Sequence, residues 1–347
     1  SRLQELYENE KDYLQTVQAW LEMISPAIDD NPEYEKQDLL TRMVEPERMV
    51  SFLVPWQDDA GNYHTNHGYR VQFNSAIGPY KGGLRFHPSL NGGTVKFLGF
   101  EQTYKNALSG LPIGGAGGGA DFDPNGKSNR EIMRFCQSFM TALYRYIGAD
   151  IDVPAGDIGV GTREIGYLYG EYKRLTGRAE SGAITGKGLT YGGSKVRQDA
   201  AGFGAVYFLA RMLEHHGDTL AGKRIVVSGF GNMALGVCRK AAELGAKVIT
   251  LSGPDGYVID AEGITTDEKF DFMMQMRASG EDKVQPYAEK YNVPFFAGKK
   301  PWGIPAEIVM PCAIENEIDF KDAYGILEKG TKYYIEKKIG GEIKKYG

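Results

Sequence analysis

Between a short apolar run, Arg224 to Ser228, and an amphipathic one, Met233 to Leu244, the chain turns on Gly229, Gly231 and Ala234. Small residues at that spacing let a strand pass directly into a helix, with no side chain standing in front of the helix N-terminus. A second apolar run, Lys247 to Leu251, follows and completes a β–α–β unit. The alternation continues around it: helices are expected at Ala205–His215 and through Met273–Met276, and strands at Ile308–Met310 and Tyr333–Ile335. Few folds accept that order. The second half of the chain is expected to be α/β, with a parallel, Rossmann-like sheet.

The first half has a different texture. Leu3, Leu6, Tyr7, Leu14, Val17, Leu21 and Ile24 recur at helical spacing, and Pro26 is expected to end that helix. Met49–Val54 and Tyr63–Phe73 read as strands, and Thr94–Leu108 and Arg163–Leu175 as helices. Ser128 and Glu131 form a capping box for a helix through Ile147. The Pro79–Gly161 stretch is dense in glycine and reads as a set of turns around lysines. With 347 residues, two domains are expected. The Gly-, Ser- and Thr-rich stretch 176–197 suits a hinge, which gives a first domain at 1–190, a second at 191–336, and a basic, Gly-rich tail at 337–347.

Composition excludes several classes of protein. A formal net charge of -5 argues against a nucleic-acid partner. No apolar run approaches the ~20 residues of a membrane-spanning helix, and Ser1 opens no signal-peptide pattern. Cys136, Cys238 and Cys312 are odd in number and far apart, which fits reduced, buried thiols and a cytoplasmic location. His64 and His67 fall on opposite faces of a strand, and no Cys or His cluster has metal spacing, so no metal is expected.

The GxGxxA turn has a plain reading, a tight strand–helix connection. Its strand–turn–helix–strand setting points further, to a pyrophosphate held at the helix N-terminus by Gly229, Phe230, Gly231, Asn232 and Met233. Asp255, in the LSGPDG that ends the second strand, is the nearest acid to a cofactor ribose. A carboxylate there disfavours an extra phosphate, so NAD is expected; the Ser252 hydroxyl keeps NADP open. In the first half, Lys81 adjoins glycines and Lys105 shares a helix with Gln102. Two ammonium groups converging on a pocket would hold a dicarboxylate, although solvated surface lysines are the commoner case. Asp157, in PAGD, suits a desolvated proton carrier or, equally, a turn residue.

On PYKGGLRFHP, FLGFEQTYK, LPIGGAGGGADFD, DVPAGDIGVG and SGFGNMA together, the chain resembles the hexameric bacterial glutamate dehydrogenases of the Glu/Leu/Phe/Val dehydrogenase family. The resemblance implies an N-terminal α/β substrate domain followed by the dinucleotide-binding domain, a homo-hexamer, and NAD(P)-linked conversion of L-glutamate to 2-oxoglutarate and ammonium. It implies that Lys81, beside Gly82, binds the side-chain carboxylate and that Gln102 and Lys105 hold the α-carboxylate. Asp157 would transfer protons, and Arg197, Ala201, Asn232, Cys312 and Asn316 would border the cofactor. A lysine at position 81 favours glutamate over branched-chain or aromatic amino acids.

Three departures stand out. Gly117 occupies the position of the family's catalytic lysine, and Ala201 replaces a threonine. After Glu336 the sequence reads KKIGGEIKKYG where the family continues into helices that return to the first domain, so that segment is expected to be absent. The alternative expectation is therefore a catalytically inactive, dehydrogenase-like binding or structural subunit.

Overall fold

The computed structural model describes residues 2–195, 199–279, 281–314 and 317–335. The chain forms two compact units, residues 1–195 and 196–347. The first holds helices α1 (Arg2–Leu6), α2 (Lys11–Asp29), α3 (Glu33–Lys36) and α4 (Leu39–Val44), then strands β1 (Arg48–Gln57), β2 (Tyr63–Asn74) and β3 (Tyr80–Phe86). Helix α5 (Gly92–Ala107), β4 (Gly115–Ala120), α6 (Asn129–Leu143), β5 (Asp152–Gly156) and α7 (Thr162–Thr176) complete it. The five strands lie in the order β1-β2-β4-β3-β5. β1, β2 and β4 run antiparallel, and β4, β3 and β5 are parallel.

Several expectations for the first unit are corrected. The periodic run from Leu3 to Ile24 forms two helices, α1 and α2, instead of one. Pro26 lies inside the last turns of α2 instead of ending it. Proline leaves the carbonyl four residues back without its usual N–H, and the Ser25 hydroxyl donates to that carbonyl, Glu22 O, at 3.3 Å. Many of the glycines of Pro79–Gly161 lie in strands instead of turns: β3 contains KGGLRF, β4 is the buried run GAGGGA and β5 ends on Gly156. Glycine has no side chain to display a period of two, so strand pairing with β2 and close contact with α5 make β4 a strand. The Ser128–Glu131 capping box forms as expected, with Glu131 N–H donating to Ser128 Oγ at 3.1 Å and Ser128 N–H to the Glu131 carboxylate at 2.7 Å. α6 stops at Leu143, followed by a 3-10 turn over Tyr144–Tyr146.

The bare strand β4 lets two neighbours approach from opposite sides. On one side, a Cβ on Gly117 would stand 2.8 Å from Gly99 N and 2.9 Å from Val95 O, both backbone atoms of α5. On the other, a Cβ on Gly118 would stand 3.0 Å from Arg70 Cδ. Arg70, on β2, passes over this glycine floor. Its guanidinium donates to Gly82 O (3.3 Å) and Gly83 O (3.2 Å) on β3 and forks onto the Asp152 carboxylate at the start of β5, with Nε–Oδ2 at 2.9 Å. Both side chains are fully buried. Gln72 Nε2 adds a donor to Asp152 at 3.2 Å, so one carboxylate receives three N–H groups. Gly117→Lys is accordingly expected to destabilise the unit, because the α5 backbone must move before a Cβ fits. Overpacking of this kind costs ~1–3 kcal/mol, read as a midpoint of thermal unfolding lowered by roughly 2–12 °C. An unchanged midpoint would refute the close-contact account.

The second unit holds α8 (Ala200–His215), β6 (Arg224–Val227), α9 (Asn232–Glu243), β7 (Lys247–Val248), β8 (Thr250–Gly253) and β9 (Gly256–Ile259). α10 (Asp267–Ala278), α11 (Gln285–Tyr291), β10 (Phe295–Ala297), β11 (Ile308–Met310), α12 (Phe320–Glu328) and β12 (Tyr333–Tyr334) follow. β12-β11-β6-β7 form the parallel sheet the sequence leads one to expect. The expected strand Lys247–Leu251 is divided: β7 joins that sheet, whereas β8 pairs antiparallel with β9 in a separate sheet, β10-β9-β8. The Pro254-Asp255-Gly256 turn reverses the chain there, with Gly256 at φ +140°. Val206, Leu209 and Leu213 of α8 and Val237 and Ala241 of α9 pack on Ile225, Val227 and Val248. The tail 337–347 lies outside the described residues.

Candidate functional site

In the first unit the candidate residues gather along β3. Lys81 pairs in register with Val153 and Gly82 with Pro154 of β5. The Lys81 ammonium donates to Thr185 Oγ1 at 2.8 Å, and Thr185 is itself tied to β5 by its N–H to Pro154 O at 2.9 Å. On α5, Gln102, Lys105 and Asn106 share one face by their three- and four-residue spacing. Gln102 Nε2 donates to Asn106 Oδ1 at 2.7 Å, and Asn106 Nδ2 donates to Lys81 O at 3.1 Å and to Gly114 O. A polar chain thus runs from Gln102 through Asn106 to the backbone of Lys81. Lys105 is exposed on that face.

Asp157 is the first residue beyond β5. A Cβ on Gly83 would lie 2.9 Å from Asp157 Cβ, so the aspartate crosses β3 where no side chain obstructs it. Its Oδ2 receives Arg85 Nε at 2.9 Å. Gly117, two strand positions beyond Gly115, contributes no side chain, and the space at its Cα belongs to α5. Nearby, Lys187 is buried with its ammonium on Ser181 O (2.6 Å) and Ile184 O, and burial pulls it below the usual lysine range.

The second unit carries the dinucleotide-type turn. Gly229 adopts φ +75°, a conformation suited to glycine, and its N–H donates to Ser252 Oγ at 2.9 Å. No side chain caps α9 at Gly231, so its first N–H groups remain available to an anion. A Cβ on Gly231 would lie 2.6 Å from Arg277 Nη1, which sets a guanidinium over the turn. These features fit a cofactor pyrophosphate. The Phe230 ring and the Asp255 carboxylate meet around Gly253. Asp255 accepts from the N–H groups of Val284 (3.0 Å) and Gln285 (3.0 Å) at the start of α11, a role the sequence did not disclose. Cys312 O lies 3.2 Å from the Cβ position of Gly229, and Cys312 N–H donates to Ser228 Oγ at 2.9 Å. Asn232 and Met233 open α9. Ala201 lies in α8 beside Gly202, whose bare Cα faces the α9 backbone. Arg197 and Asn316 lie outside the described residues.

Asn106, Thr185, Arg85 and Arg277 escape a reading of sequence alone. Arg85 was visible inside KGGLRF, but its partner is 72 residues away; nothing local marks the others. Arg277→Ala is expected to raise the KM for NAD about tenfold, the loss of one charged hydrogen bond, with the KM for the amino acid unchanged. Equal KM values for NAD in the two proteins would exclude a cofactor role.

Residues 46–174 match the Glu/Leu/Phe/Val dehydrogenase dimerisation domain, and residues 192–337 match the Glutamate/Leucine/Phenylalanine/Valine dehydrogenase domain. The chain belongs to this family of amino-acid dehydrogenases. Within it, the similarity is to glutamate dehydrogenases. The NAD-specific glutamate dehydrogenase of Clostridium symbiosum is 57% identical over 336 residues, covering 97% of this chain and 75% of the relative. The NADP-specific glutamate dehydrogenase of Escherichia coli is 48% identical over 328 residues, 94% of this chain and 73% of the relative. A solved glutamate dehydrogenase superposes with a TM-score of 0.95 at 57% identity, covering 96% of this chain and 75% of its own. The Plasmodium falciparum glutamate dehydrogenase gives 0.92 at 44% identity, over 97% and 71%.

Proposed function

We propose that the chain is a glutamate dehydrogenase: L-glutamate, water and NAD give 2-oxoglutarate, ammonium, NADH and a proton, reversibly, with NADP as the alternative cofactor. The observation that carries this reading is the clustering of Lys81, the Gln102–Asn106 face of α5 and Asp157 along β3. Lys81, beside Gly82, binds the side-chain carboxylate of the substrate, and Gln102 and Lys105 hold its α-carboxylate. The hydride released from the substrate α-carbon is taken up by NAD when it is bound. Gly229, Phe230, Gly231, Asn232 and Met233 hold the cofactor phosphates, with Arg277 above the turn. Ser252 and Asp255 are assigned to its ribose, and the family resemblance assigns Ala201, Cys312 and, outside the described residues, Arg197 and Asn316 to its border. Asp157 moves the proton at the substrate nitrogen. Gly117 offers no titratable group, so that duty falls on Asp157.

Residues 1–190 form the substrate-binding and oligomerisation part and 191–336 the dinucleotide-binding part of a cytoplasmic homo-hexamer, a reading supported by the family resemblance. The test is formation of NADH from L-glutamate, compared with L-leucine and L-phenylalanine. A glutamate rate no greater than the control without enzyme would sink the proposal. Binding of NADH without turnover would instead support the non-catalytic subunit.

A further inference from the structure

KGGLRF contains one charged side chain that the proposed reaction leaves without a task. Arg85 is 7% exposed, an expensive place for a guanidinium unless it is paired. Two features bring Asp157 to it. Gly83, two residues earlier on β3 and therefore on the same face, leaves room for the Asp157 Cβ to cross the strand. Phe86 N–H donates to Ile158 O at 2.9 Å, which closes the loop after β5 back onto β3 with Asp157 between the two anchors. The carboxylate then meets Arg85 Nε through Oδ2. The side chain of Asp157 is one-third exposed and that of Arg85 only 8%.

We infer that Arg85 is a positioning residue for Asp157: it holds Oδ2 and so directs Oδ1 at the proton to be moved. This rests on the proposed role of Asp157. The choice of arginine matters. A guanidinium stays protonated throughout the working pH range, so it orients a carboxylate without competing for its proton. A lysine in the same place is a compact point charge with three rotatable donors and fixes the carboxylate less tightly. Where Gly117 supplies no amine, the fixed cation facing Asp157 on β3 is this guanidinium.

A kinetic double-mutant cycle tests the inference, using Arg85→Met, Arg85→Lys, Asp157→Asn and the Arg85→Met/Asp157→Asn double variant of the full chain. NADH binding and thermal unfolding are measured beside kcat and KM. Arg85→Met is expected to lower kcat about tenfold to a hundredfold, the usual cost of a misplaced catalytic group, with KM for glutamate and NADH binding within about twofold. Arg85→Lys is expected to recover most of that loss. Gly83→Ala, whose methyl would stand 2.9 Å from Asp157 Cβ and 3.6 Å from its Cγ and so displace the carboxylate from the Arg85 side of the pair, is expected to lower kcat in the same way. In the Asp157→Asn background, Arg85→Met should cost nothing further. A full additional loss in that background, or an Arg85→Met protein with normal kcat, overturns the inference alone. Normal kcat in Asp157→Asn overturns the role of Asp157 first, and the inference with it.

Discussion

Asp152→Ala is expected to lower the unfolding temperature of the first unit sharply. The carboxylate is buried completely and receives Nε and Nη2 of Arg70 together with Gln72 Nε2. Its removal strands a buried guanidinium with only the Gly82 and Gly83 carbonyls as partners. Breaking a buried pair in this way costs ~3–5 kcal/mol, a large share of the ~5–15 kcal/mol that holds a domain together. For a unit of this size the midpoint of thermal unfolding should fall by roughly 6–20 °C. Arg70→Met/Asp152→Leu, which removes both charges, should recover part of that loss, because paired burial of charge is itself expensive. A shift below about 2 °C for Asp152→Ala would show that the pair is not what closes this sheet. The damage should also reach the site, since the two carbonyls that Arg70 holds follow Lys81 directly on β3.

Asp157→Asn is the largest expected effect on rate. The amide keeps the shape of the carboxylate and loses both its charge and its proton affinity. Removal of one general acid or base costs ~10²–10⁴ in kcat. No second titratable side chain projects from β4 to compensate, because Gly115, Gly117, Gly118 and Gly119 have none. NADH binding should stay as it is, whereas the unfolding midpoint should fall modestly, because the amide keeps an oxygen for Arg85 Nε but removes the charge that pairs this buried guanidinium. A kcat within about tenfold of the parent protein would remove Asp157 from the proposed chemistry.

What the sequence determined by itself is local. The capping box at Ser128 and Glu131 needs four consecutive residues and forms as expected. The Gly229–Ala234 turn needs an apolar run, two glycines and a helix start, and the parallel strands β6 and β11 follow from short apolar segments. Substrate-side motifs were legible as clusters of residue types, which is why Lys81, Gln102 and Asp157 could be singled out. The strands inside Pro79–Gly161 were not, because glycine carries neither pattern nor propensity for a strand. Only pairing with β2 and β3 and the pressure of α5 decide that GAGGGA is extended. The same is true of partnership. Arg70 meets Asp152 across 82 residues and Arg85 meets Asp157 across 72. The first contact exists because glycines on the intervening strands leave a path for a side chain, the second because Gly83, on the strand of Arg85 itself, leaves room for the Asp157 Cβ. Local sequence sets backbone preferences over a few residues, whereas an ion pair over a bare strand depends on which strands lie side by side, and only the folded sheet decides that.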